Sequence, residues 1–172
     1  MNWDYQHLLP SGFSPESRVW VYQSSRLFSL SESLDIEEML NGFVAEWLSH
    51  GVSVKGSGVL LFGQFIVLIA DEKATGVSGC STDSSVRLIK EIEKMFGVNM
   101  FDRTALAFVA KDKIELLPLS QLQYAYDNNF ITEASLYFNN LVLTKEELES
   151  KWIIPVKGSW LKNRLKLKVQ NF

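Results

Sequence analysis

Phe65-Ile66-Val67-Leu68-Ile69-Ala70 is apolar at six consecutive positions, and a few residues later the chain continues Gly76-Val77-Ser78-Gly79-Cys80-Ser81-Thr82-Asp83-Ser84-Ser85. An unbroken apolar run bounded by turn residues is the pattern of a strand covered on both faces. The second stretch is a Gly/Ser loop, and an amphipathic run begins at Val86. Together they predict a central strand, a loop and the start of a helix. Gly76 and Gly79 allow positive φ, and the hydroxyls supply acceptors for the unpaired amides of a helix start. Cys80, the chain's single cysteine, lies inside this loop.

Working outward, Val19-Trp20-Val21-Tyr22-Gln23 has the β-branched and aromatic content of a first strand. Ile36, Met39, Leu40, Phe43, Val44, Trp47 and Leu48 recur at the spacing of one buried helical stripe. Asp35 and Glu38 have capping-box spacing, and Gly51 is placed to end the helix with His50 in its last turn. Val52 to Phe62 predicts a strand joined to Phe65–Ala70 at Gly63-Gln64, with Gly56 and Gly58 marking a bulge. A second helix carries Val86, Ile89, Ile92, Met95 and Phe96 on one side and stops at Gly97. Thr104 to Val109 is a further strand, turning through Lys111-Asp112 into Ile114 to Leu117. The order β-α-β-β-α-β matches a ferredoxin-like core. A C-terminal extension follows: a short helix capped by Ser120, a strand at Leu136-Tyr137-Phe138, and a helix opened by the capping box Thr144-Lys145-Glu146-Glu147. The expectation is a single α+β domain over residues 1–172.

Composition sets limits. Of 172 residues, 47% are hydrophobic and 22% charged, as in an ordinary folded globule. No apolar run approaches the ~20 residues of a membrane span, and Met1-Asn2-Trp3-Asp4-Tyr5 lacks a signal peptide's basic and apolar regions. One cysteine excludes an intrachain disulfide framework, which points to a cytoplasmic setting. Net charge is −3, unevenly spread: from Lys151 onward there are six basic residues and no acidic one, which leaves 11 basic and 20 acidic, or −9, in the first 150. The tail alternates as Leu165-Lys166-Leu167-Lys168-Val169, the pattern of a strand with one solvated face, so neither nucleic acid nor membrane is expected as a partner.

Several segments together, Trp20-Val21-Tyr22-Gln23-Ser24-Ser25-Arg26, Ser78 to Ser85, Phe101-Asp102-Arg103, Asn139-Asn140-Leu141-Val142 and the spacing Trp152…Pro155…Ser159-Trp160, resemble an uncharacterised family of small bacterial proteins. Its members are sometimes labelled "ABC transporter ATPase". The resemblance covers Tyr5 to Arg164, with the last eight residues beyond the family pattern. It implies no established activity, and the label fails on chemistry. Such an ATPase needs Gly-x-x-x-x-Gly-Lys-[Ser/Thr], whose amides and lysine hold the phosphates. No Gly-Lys pair occurs in the chain, nor any Gly-x-Gly-x-x-Gly loop.

For the site, no cofactor is expected and no metal, since His7 and His50 are far apart with no ligand at metal spacing. The loop supports two chemistries. Ser78, Gly79, Ser81, Thr82 and Ser84, with the positive end of the second helix, would hold a small anion such as a phosphate or carboxylate. Alternatively, Cys80 near that helix start is a nucleophile of lowered pKa, with His50 as base and Asp83 as third member. Beside both stands a plain structural role, in which Thr82 or Asp83 caps the helix and Cys80 packs as a small apolar group. Arg26 and Arg103 fall at the opposite end of the expected sheet, either as a second anion patch or as partners of Asp102. Trp20, Trp47 and Trp152 fit core positions, while Trp160, beside Pro/Gly turn chemistry, is placed to line a groove. The functional expectation is a small cytoplasmic binding or accessory domain with an anion or protein partner; the alternative is a cysteine-dependent hydrolase or transferase.

Overall fold

The computed structural model describes residues 2–75 and 81–166. The chain is mixed α+β with its strands in antiparallel sheets. It divides into two compact units, Asn2–Asp102 with Asn140–Ser150, and Arg103–Asn139 with the residues from Lys151 onward. Among the described residues, no helix is long and apolar enough to cross a membrane.

In the first unit, β5 (Phe65–Ala70) is the central strand of three, between β1 (Arg18–Gln23) and β4 (Gly56–Leu61), and all six of its residues are fully buried. Its position follows from its composition, because a strand with no polar face is stable only where both faces are covered. On one face Ile66, Leu68 and Ala70 join a core with Ile36 and Leu40 of α1 (Leu30–Glu46) and Leu88, Ile89 and Ile92 of α3 (Ser81–Phe96). A short helix, α2 (Glu72–Thr75), follows β5.

The first helix starts and ends earlier than its stripe predicts. Ser29 is the N-cap: its hydroxyl accepts from the Glu32 amide, and the Glu32 carboxylate accepts from the Ser29 amide, a complete capping box. This pair outcompetes Asp35/Glu38 because it satisfies two orphan amides reciprocally. The helix stops at Glu46, with Trp47 as C-cap. Leu48 and Ser49 form β2, which pairs with β3 (Val52–Ser53) across His50 (φ 49°) and Gly51 (φ 78°). Two successive positive φ values are the signature of a tight two-residue hairpin turn. Gly51 therefore serves a hairpin rather than a helix end, and His50 is not in a last helical turn.

Gly56 and Gly58 do not mark a bulge, since β4 pairs with β5 in unbroken register. They permit close approach instead: a Cβ on Gly56 would stand 2.5 Å from Cε3 of Trp47, and one on Gly58 would stand 3.1 Å from Leu68 and 3.3 Å from Leu40. The stripe of the second helix is also corrected at one position, Met95, which is 57% exposed. Gly97 ends that helix at φ 61°, as its sequence position implies.

The strand expected to complete a four-stranded sheet beside β1 lies elsewhere. β6 (Ala105–Ala110) pairs with β7 (Lys113–Pro118) on one edge and with β8 (Leu136–Phe138) on the other, in a second sheet of order β7-β6-β8-β9, where β9 is Ile153–Pro155. Both of its edges are thereby used. The outer edge of β1 is met instead by the segment before α5 (Lys145–Lys151), where the Val19 amide donates to the Leu143 carbonyl at 2.9 Å and Arg18 bridges to Thr144. In the second unit, Lys111 (φ 48°) and Asp112 (φ 59°) make the β6–β7 turn. Its core gathers Leu106, Phe108, Tyr137, Val156 and Leu161 with Leu122 of α4 (Leu122–Asp127). Of the alternating tail, Leu167, Lys168 and Val169 lie outside the described residues.

Arg26 ties the first unit together at one end of its helices. It donates to both carboxylate oxygens of Glu32, each at 2.9 Å, and to the Phe96 carbonyl at 2.7 Å, where the last turn of α3 leaves acceptors unpaired. The hydrogen bond from Arg26, followed by that from the Ser29 amide, holds the Glu32 carboxyl down at about 2. A depressed carboxylate stabilises the fold fully above its unfolded value, 4.5, and that contribution disappears as pH falls from there toward 2. Glu32→Gln is therefore expected to be less stable than wild type at pH 7, with the gap closing below pH 4.5. Urea midpoints for both proteins across this range check it, and a gap independent of pH would rule the linkage out.

Candidate functional site: a groove between two helices

α1 and α3 run antiparallel. At one end Phe28, just before the N-cap of α1, meets Phe96 edge-on at 5.9 Å between ring centroids. At the other end Leu48, past the close of α1, and Ser84, in the first turns of α3, line one open groove of about 630 Å3. Its apolar lining comes from Met39, Phe43, Trp47, Leu48 and Leu88. The aromatic part of this lining is packed: the Phe43 and Trp47 rings lie 4.8 Å apart, and the buried Trp47 ring lies close over Gly56. Three charged side chains complete the lining, Glu46 from α1 and Arg87 and Glu91 from α3, all exposed.

Gly42 lies within α1 and also lines the groove. A glycine inside a helix costs roughly 0.5–1 kcal/mol relative to alanine. Here no close neighbour among the described residues requires it, since none of them lies within 4 Å of where its Cβ would stand. The missing side chain widens the groove between the two helices. The arrangement can take up an apolar body against the aromatic lining and meet charged groups of either sign at the rim.

The residues singled out from the sequence fall in several places. Ser78, Gly79 and Cys80 lie outside the described residues, as do the side chains of Ser81 and Thr82, whose backbone opens α3. Asp83 is exposed in the first turn of α3, and Ser84 lines the groove. Ser85 belongs to the core rather than to a ligand loop: it is fully buried, with its hydroxyl 3.2 Å from the Tyr22 hydroxyl. His50 is exposed in the β2–β3 turn, two positions beyond Leu48. Arg26 is engaged by Glu32 rather than Asp102, at the end of α3 away from Ser84. Arg103 opens the second unit and is exposed. Trp160, also in the second unit, donates its indole N–H to the Tyr137 hydroxyl at 3.2 Å, with the Arg164 guanidinium 5.8 Å from its ring centroid. Burial pushes the Tyr137 hydroxyl above its usual range.

Phe43, Gly42, Arg87 and Glu91 were not singled out as site residues from the sequence. The available signal was Gly42, a helix breaker in the middle of an otherwise strong helical stripe. Among the described residues, no group of three or more His, Cys, Asp or Glu side chains is placed to hold a metal ion. No family model, no curated protein and no solved structure matches the chain.

Proposed function

We propose that this protein is a small binding domain whose ligand occupies the groove between α1 and α3. The observation that carries this reading is the space over Gly42, open among the described residues, beside the packed Phe43–Trp47 pair. A helix-interior glycine with no packing partner among the described residues is a net cost to the fold, and a groove kept open for a ligand accounts for it. The volume of about 630 Å3 falls in the range of small-molecule sites. The groove opens at the first turns of α3, which follow the Gly/Ser-rich stretch in the sequence. We also propose that β1, α1, β4 and β5 are the split β-α-β portion of a ferredoxin-like core, a reading supported by the strand order β1-β5-β4.

The test uses the neutral apolar dye N-phenyl-1-naphthylamine, which fluoresces on leaving water. Wild type is expected to bind it under native conditions. Gly42→Phe, which fills the open space without entering the core, should bind it at least tenfold more weakly while keeping a cooperative thermal transition. Gly42→Ala should raise stability by about 0.5–1 kcal/mol. Equal dye binding by wild type and Gly42→Phe would show that the dye sits elsewhere and remove the proposal.

A further inference from the structure

We infer that the groove selects a zwitterion with an apolar body, the chemical class of aromatic and aliphatic α-amino acids. This rests on the binding site proposed above and names what that site takes. Arg87 and Glu91 are one helical turn apart on α3, so their Cβ atoms stand about 5–6 Å from each other on one face. A cation and an anion so placed would ordinarily neutralise one another. They do not: among the described residues neither Arg87 nor Glu91 forms an ion pair, and Glu46 across the groove forms none either. The order along the helix gives a reason, since the basic residue precedes the acidic one, the weaker arrangement for a pair four apart.

The lining therefore presents one guanidinium and two carboxylates, uncommitted, beside an aromatic surface. A ligand carrying only an anion would meet Arg87 but face Glu46 and Glu91. A ligand carrying only a cation would meet the carboxylates but face Arg87. A ligand with both charges on one carbon answers both signs at once, its carboxylate on the Arg87 fork and its ammonium between Glu46 and Glu91. The guanidinium suits this role, because its planar fork matches a carboxylate bidentately. Its apolar side chain then lies against Phe43, which the buried Trp47 ring backs, next to the space over Gly42. Because the three charged groups are exposed, each supplies discrimination more than affinity.

Competition against N-phenyl-1-naphthylamine tests the inference, with L-phenylalanine, N-acetyl-L-phenylalanine and L-phenylalanine amide as probes at pH 7. Phenylalanine is expected to displace the dye at concentrations about fivefold below either analogue, the size of one exposed charge contact. Arg87→Gln should erase its advantage over the amide, and Glu46→Gln with Glu91→Gln its advantage over the acetylated form. All three substitutions lie on the rim, and thermal transitions close to wild type verify that the variants fold. Displacement by all three probes alike, or no displacement of a dye that does bind, overturns the zwitterion while leaving the groove as a site. Failure of the dye itself to bind wild type overturns both.

Discussion

Trp47→Ala is expected to lower the unfolding free energy by about 3–5 kcal/mol, the range for deleting a large buried aromatic. Trp47 is 2% exposed, with ring centroids 4.8 Å from Phe43 and 5.9 Å from Trp20. The backbone around it is pinned as well, since its carbonyl accepts from the Val54 amide at 2.8 Å and its own amide donates to Val44. The site is held between α1, the β2–β3 hairpin and β4 and has little freedom to collapse into the vacated volume. Its indole N–H has no hydrogen-bond partner among the described residues, so removing it leaves none of their acceptors stranded and the loss is one of packing. Urea unfolding should show a lower midpoint at unchanged slope. A loss below about 1 kcal/mol would mean that Trp47 does not anchor the helix to the sheet.

Gly56→Ala carries the second large effect, a loss of about 1–3 kcal/mol from overpacking. The sign is informative, because at an unstrained position alanine stabilises relative to glycine by restricting the unfolded chain. Here the new methyl would meet the Trp47 ring at 2.5 Å from Cε3 and 2.9 Å from Cζ3. Neither partner yields easily, one being a strand in register and the other a packed ring. A double-mutant cycle isolates the cause: on a Trp47→Ala background, Gly56→Ala should become neutral or stabilising. An equal loss in both backgrounds would exclude the contact as its origin.

What was visible in the sequence was visible because its cause is local. Six consecutive apolar residues placed β5 at the centre of its sheet, and Lys111-Asp112 and Gly97 marked a turn and a helix end by chemistry confined to a few positions. The start of α1 was hidden by Leu30 and Leu34, apolar residues on its exposed side that lie off the buried stripe. Its end was hidden by Leu48, which continues the spacing of Val44 yet is 52% exposed in β2. The partner of β6 is not local at all, since a strand's own pattern does not state which of two sheets it joins. The groove was hard to see for a related reason. It is built from a missing side chain on one helix and ordinary charges on another, whereas the stretch around Cys80 concentrates unusual residue types in a few consecutive positions.

The division of the chain also bears on its synthesis. The first unit is interrupted: β1, α1, β4, β5 and α3 are complete by residue 102, but the segment along the outer edge of β1 arrives only with Asn140–Ser150. Tyr5 likewise donates its hydroxyl to the Leu148 carbonyl, across 143 positions of chain. Contacts of such separation form late, after the intervening chain has been made and its loop closed. A nascent chain emerging N-terminus first thus holds a three-stranded sheet with its β1 edge unpaired while the whole of β6 to β8 is translated. During that interval the amide of Val19 is an open strand edge, the kind of surface that pairs with another copy or calls for a chaperone.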